Sequence, residues 1–389
     1  MVDTGFVQSV KRQCRQLSGR WLYLFAMIVI PIVCALFLLG LMKNGLPLHI
    51  PTAIVDLDNT VETQAIVRNI RSAKEVDVRY EVNSEADAMR LVREGKVYGY
   101  YVIPYNFTRD AMSGRSPEIA YYTNSTFFIP SSLLFRSLKT NSVLTSAAMV
   151  KNYLVQSGSS TDRQAQTLLQ PVVLQTSPLH NPEVNYSVYL SNSFIPTVLA
   201  LMILLVTAFS IWHEEKMRTS IDWLQTANGS ITIALLGKLL PQTLIFTAVG
   251  VFLQSLLYGY MGFPMNCSVF QVVATMSLFV MANQGFAVFI AGIIPNLRLS
   301  LSICSLIGIL TFSLGAYSFP LEEMYGSIAI FSYILPSRYY FLIYVDQVLN
   351  GLPLYYSRFY YVALLCFMML PLFVARRIGR HAQNPVYVP

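Results

Sequence analysis

Six stretches of this chain, residues 21–42, 194–212, 231–260, 269–294, 299–319 and 360–375, are apolar with at most one charge each. A helix needs roughly 20 such residues to cross the hydrocarbon of a bilayer, and backbone polar groups left unpaired there are too costly for anything but helices or closed barrels. The pattern therefore predicts a polytopic α-helical membrane protein with six transmembrane helices. Of 389 residues 54% are hydrophobic and only 12% are charged, about half the charge of an ordinary soluble domain. The run at 21–42 is too long for a signal-peptide core, and no small-residue cleavage site follows it, so it is read as an uncleaved anchor.

Residues 43–192 are a different material, holding 14 Lys/Arg and 13 Asp/Glu. Most of the formal +7 thus lies outside this region, and the basic balance reports cations flanking membrane spans, not a nucleic-acid footprint. Here β-rich segments at 52–57, 76–82 and 97–103 alternate with helical spacing at 60–71 and 85–94, with a further strand at 119–122. That order predicts a small α/β domain between the first and second spans. Helical periodicity at 131–155 and 162–174, separated by Gly158-Ser159-Ser160, predicts helices leading back to the membrane.

Cations set the orientation. The flanks on the side of the termini hold Lys11, Arg12, Arg15, Arg20, Lys216, Arg218, Lys238, Arg298, Arg376, Arg377 and Arg380; the opposite short flanks hold Lys43, Arg338 and Arg358. This asymmetry places both termini in the cytoplasm and the α/β domain outside. The resulting division is a cytoplasmic amphipathic segment 1–20, a first span 21–42, an extracytoplasmic domain 43–192, spans two to six over 193–378 and a cytoplasmic tail 379–389. Within 1–20, Phe6, Val10, Cys14 and Leu17 form an apolar stripe opposite Lys11, Arg12 and Arg15, as in a helix lying on an anionic leaflet. Residues 320–358 are too interrupted for a clean span and too apolar for a free loop, which predicts partly inserted helices.

Catalytic and metal motifs are missing. Gly95-Lys96 and Gly237-Lys238 lack the hydroxyl residue and first glycine of a phosphate-binding loop. No nucleophile elbow occurs, His180 stands alone, and the five cysteines and four histidines show no disulfide or zinc spacing. No cofactor is assigned to the chain. Lys238, near a span end, is read as snorkelling to the surface. Asn283 and Gln284, mid-span, suit either interhelical hydrogen bonds or a translocation path. Glu322 and Glu323 suit either an exit gate or the start of a helix.

The stretch 213–229 between the second and third spans mixes both charge signs with Met217, Ile221 and Leu224 at i, i+4 and i+7, which predicts a short surface helix with an apolar ridge. Glu215 and Asp222, seven apart, share a face with Arg218 between them. The bland reading is an interfacial helix with no partner.

Taken together, Ala53-Ile54-Val55-Asp56-Leu57-Asp58, Glu85-Ala86, Gly95, Gly99-Tyr100-Tyr101-Val102-Ile103-Pro104 and Phe107, then Gly315, Pro320, Met324 and Leu335-Pro336, are similar to the pattern of ABC-2 type permeases. These are membrane subunits of ABC exporters with a type V, ABCG-like fold, and the resemblance covers nearly the whole length. It implies that 213–229 is a coupling segment for a separate ATPase, with Glu214, Glu215, Lys216, Arg218, Thr219, Ser220, Asp222 and Leu224 as its residues. Thr219, Ser220 and Asp222 stand where the family often has Gly, Thr and Glu. It further implies two ATPase copies that bind ATP and Mg, a homodimer or a heterodimer with a sister permease, a periplasmic adaptor with an outer-membrane channel, and a bacterial inner-membrane location. The substrate expected for so apolar a path is hydrophobic or amphipathic. The competing reading is a membrane-anchored interaction protein whose external domain binds a partner, for which one anchor would suffice.

Overall fold

A computed structural model describes residues 2–43, 45–113, 115, 117–156, 181, 185–317 and 319–385. Contacts divide the chain into a membrane unit, Met1–Lys43 with Pro178–Pro389, and a sheet unit, Asn44–Ser177.

Among the described residues the membrane unit carries six helical segments long and apolar enough to span: Trp21–Leu41, Tyr186–Lys216, Ile231–Tyr260, Val269–Ile293, Leu297–Leu314 and Leu354–Gln383. The second and fourth are the inner ones, with 72% of the apolar window buried in each, whereas the sixth buries 11% and the first and fifth 28%. Apart from the charged end of the sixth, at 376–381, they are apolar around most of their circumference, so periodicity does not tell a protein-facing helix from a lipid-facing one. The distinction arises from packing. Leu199, Ile203, Phe246 and Phe279 make one buried cluster, and Ala208, Ala287, Ala291 and Cys304 lie in a second. Small residues bring backbones together: a Cβ on Gly285 would meet the carbonyl oxygen of Phe367 at 2.3 Å, so the fourth and sixth spans touch there.

Several bounds move. The second helix starts at Tyr186, well before the apolar run, because Asn185 caps it and the side chains of Asn192, Ser193 and Thr197 bond back to carbonyls in the preceding turn. The sixth runs from Leu354 to Gln383, broken at Leu370 before Pro371, so it is longer than 360–375. A π-helical segment, Phe25–Val29, precedes Pro31 in the first span, where the proline ring has no N–H to donate to the turn below it. Residues 320–353 form a 3₁₀ turn at Leu321–Glu323 and a pair of helical segments, Gly326–Ser332 and Pro336–Leu349, bent by 79°.

Among the described residues of the sheet unit there are four strands, β1 Ile50–Asp56, β2 Val76–Val82, β3 Gly99–Ile103 and β4 Ala120–Thr123, in the order β2-β1-β3-β4. β1 pairs parallel with β2 and β3, and β4 closes the edge antiparallel to β3. Because side chains alternate across a strand, Ile54 packs with Ile66 and Ile70 of helix Val61–Ser72, while Ala53 and Val55 pack with Ala88 and Leu91 of helix Glu85–Arg93. Helices therefore cover both faces. Thr60 and Thr63 form a reciprocal capping box at the start of the first helix, and Ser84 caps the second.

Two expectations change here. Helix Phe128–Gln156 places Leu134 and Leu138 against the sheet, beside Ile54 and Tyr101, so it belongs to this unit and is not simply a return to the membrane. A short helix, Phe107–Met112, was not expected; its Phe107 fills the same core. The helix expected over 162–174 lies outside the described residues.

Candidate coupling junction

The second span continues as helix through Lys216 and stops in a tight turn in which Arg218 has φ 57°. The turn closes because the Thr219 N–H donates to the Glu214 carbonyl at 2.8 Å and the Thr219 hydroxyl donates to the Glu214 carboxylate. A separate short helix, Ser220–Thr226, follows, and Asn228 and Gly229, both at positive φ, lead into the third span. The single ridge predicted from 217, 221 and 224 is therefore broken. Met217 and Ile221 are exposed, but Leu224 is buried along with Trp223. Glu215 sits on the preceding helix and is buried, so it shares no helical face with Asp222, which is exposed beyond the turn. Nothing in the sequence marks this break, since the residue in the left-handed conformation is an arginine instead of the usual glycine.

Glu214 is the centre of the junction. Its carboxylate is buried and accepts from Lys238 Nζ at 2.7 Å, Arg12 Nη2 at 2.8 Å, Gln16 Nε2 at 2.9 Å and Thr219. Lys238 is itself 2% exposed, donates also to the Ser210 carbonyl at 3.0 Å, and lies 4.8 Å from the Trp223 ring centroid. The snorkelling expected of Lys238 is thus corrected: a charge that finds a carboxylate, a carbonyl and an indole face in place does not need to reach water. Arg12 donates further to the Thr219 carbonyl at 3.2 Å, and Arg20 pairs with His213. One anion thereby joins the N-terminal helix, the end of the second span, the turn and the third span. A lysine seven residues into an apolar run was the signal that could have found this partner, because a charge there requires one.

The N-terminal helix, Val2–Gly19, is held by more than charge. Its buried face is Gly5, Ser9, Gln13 and Leu17, and a Cβ on Gly237 would meet Ser9 at 2.6 Å. Cys14 of the expected apolar stripe is exposed. The helix docks on the third span through its small side chains, and the stripe that suggested a lipid surface is only partly covered.

The other singled-out residues lie apart. Lys216, Met217, Arg218, Ile221 and Asp222 form an exposed rim around the turn, with Ser220 buried beneath. Asn283 and Gln284 are buried in the fourth span: Asn283 donates to the Phe279 carbonyl of its own helix at 2.9 Å, and Gln284 accepts from Thr243 of the third span at 2.6 Å. Glu322 and Glu323 are exposed on the 3₁₀ turn. Among the described residues no cluster of His, Cys, Asp or Glu has the geometry of a metal site.

One buried carboxylate thus ties the N-terminal helix, the interspan turn and the third span together. A family model described as ABC-2 family transporter protein matches residues 21–376. The chain belongs to the ABC-2 transporter family. No curated relative matches it. The matched length takes in the sheet unit, the first five apolar helical segments and the sixth as far as residue 376, so both units are parts of one transporter membrane component. An ABC-2 permease is not itself the catalyst; the family works with an ABC ATPase. The chain is a multi-pass membrane protein of that kind.

Proposed function

We propose that this permease is the membrane half of an exporter, carrying a hydrophobic or amphipathic molecule out of the cytoplasm or the inner membrane with ATP hydrolysed by two copies of a separate subunit. The observation that carries the reading is the exposed rim Met217, Arg218, Ile221 and Asp222, around the turn that packs on the buried Glu214 and Lys238 and the partly buried Arg12. A rim that mixes apolar and charged groups suits docking on another protein, and the ion network behind it is stiff enough to pass a push to the second and third spans and to the N-terminal helix. ATP and magnesium are bound by the ATPase. The permease pairs with itself or with a sister chain, its termini face the cytoplasm of a bacterial cell, and the sheet unit lies outside, where an adaptor and an outer-membrane channel would meet it.

Asp222→Lys tests the docking. The residue is exposed, so stability should change by no more than about 0.5 kcal/mol, whereas reversing a charge inside a docked interface costs several kcal/mol, on the order of a hundredfold or more in affinity. The variant should accumulate and elute like the parent but lose co-purifying ATPase and its stimulation. Equal recovery of the ATPase would leave the rim a solvated surface. Orientation is tested separately at Asn69, which is exposed on helix Val61–Ser72. Asn69→Cys should react with a membrane-impermeant maleimide in spheroplasts, and reaction only after permeabilisation would reverse the topology.

A further inference from the structure

Within the membrane unit, the N-terminal helix and the third, fourth and sixth spans enclose a cleft of about 390 Å³. Its walls are Leu235, Leu239, Met281 and Met368, Leu236 and Leu372 stand at the rim, and Phe6 closes it from the N-terminal helix. The contact of Gly285 with the backbone of Phe367 and Met368 seals the floor. No lining residue is ionisable; the polar ones are Thr232, Thr243 and Gln284.

Gln284 is 2% exposed and only half satisfied. Its Oε1 accepts from the Thr243 hydroxyl at 2.6 Å, while its Nε2 is buried without a partner. The Thr243 hydroxyl also lies 3.0 Å from the Leu239 carbonyl, and it has one proton to give. If that proton goes to Leu239, the amide turns over and its oxygen becomes the unpaired end. Either way one end of the amide is left over, which is unfavourable in apolar surroundings. Its terminal torsion is soft, so the free end can swing to the cleft.

We propose that this cleft binds one uncharged, mainly apolar small molecule bearing a single hydroxyl or carbonyl group, drawn from the surrounding bilayer and anchored by Gln284. The absence of any ionisable lining group selects against a charged ligand, because nothing there would offset its desolvation. The volume is that of a small-molecule pocket, too small for a partner helix. A hydroxyl both donates and accepts, so it satisfies the amide in either orientation. Through Phe6 an occupant would touch the same N-terminal helix that holds Glu214. The proposal does not rest on the export reading, since binding is measured without ATPase or transport.

The probe is a long-chain alcohol carrying a diazirine, photolysed with the purified full chain in detergent. Label should concentrate in residues 232–243, 281–285 and 368–375, fall away under excess unlabelled alcohol, and be at least about tenfold weaker for the charged fatty acid of equal length. Gln284→Leu should reduce alcohol labelling about tenfold, the effect of losing one buried hydrogen bond. Leu236→Trp fills the cleft from its exposed rim, where folding is little affected, and should abolish competed labelling even if the Gln284 variant fails to fold. Uncompeted label spread over all spans, or parent-level label in either folded variant, would overturn the site. So would cross-linking of Leu372→Cys to a second copy that excludes the probe.

Discussion

In the membrane unit the Glu214 carboxylate meets Lys238 and Arg12 with its side chain 4% exposed, whereas in the sheet unit Arg71 pairs with Glu81 and Arg79 with Asp77 in contact with water. The chemistry is the same and the consequence is not. Water screens the surface pairs to about 0–1 kcal/mol each. The buried group has already lost its hydration, so what matters there is less the net worth of the pair than the penalty of leaving a member unpaired. The sheet unit can therefore exchange surface charges freely, while the junction is locked as a set.

The sharpest break of this comparison is Lys238→Met. It leaves Glu214 buried with Arg12, Gln16 and Thr219 but without its closest cation, and should cost about 3–5 kcal/mol. Adding Glu214→Leu should recover much of that, because no buried charge then lacks a partner on the third span. Unfolding in detergent of the two singles and the double measures it, and a single variant losing under about 1 kcal/mol would place Lys238 with the surface ions.

A middle-sized effect is expected in the sheet unit at Thr60→Ala, about 1 kcal/mol for the lost cap. The same residue bears on pH. Burial pushes the Asp58 carboxyl up, but the Thr108 N–H at 2.9 Å, with the Thr108 and Thr60 hydroxyls, outweighs it and holds the group below the usual carboxylate range. A folded-state pKa below the unfolded one contributes stability that is complete above the unfolded value and is lost as pH falls through the folded one. Unfolding measured across acid pH should show this loss, and in Thr60→Ala it should be smaller and complete at higher pH than in the parent, because the folded-state value then lies closer to the unfolded one.

Arg71→Ala should do least. Both partners are about half exposed, so stability should shift by no more than about 0.5 kcal/mol and the shift should vanish in high salt. A larger, salt-insensitive loss would show that the surface pair belongs with the buried ones after all.

The elements that could be read from the chain are those whose cause is local. The 231–260 span and β2 at 76–82 have the bounds their sequence predicts, because a long apolar run and strict alternation each act through near neighbours. Tyr186 is not legible as a helix start because its cap, Asn185, stands nine residues upstream of the apolar run. The candidate site is half legible: the charged segment between the second and third spans stands out in the sequence, but its spacing suggests one helix, and its centre, Glu214 with Lys238, reads there as a docking residue and a snorkelling side chain. A hydrogen bond from Thr219 back to Glu214 decided that break, and no residue type announces it.

By itself the amino-acid sequence determined that the chain lives in a membrane, that six helices cross and that a polar α/β domain is inserted after the first, since hydropathy over some 20 residues and short-range periodicity depend on the chain alone. Tertiary structure decided which spans face protein and which face lipid, which of two opposite charges meet, and where Gln284 is left with half an amide unpaired. The physical reason is one of range: Arg12, Glu214 and Lys238 are far apart along the chain, and tertiary packing, including Ser9 on Gly237 and Lys238 against the Trp223 ring, brings their charges together.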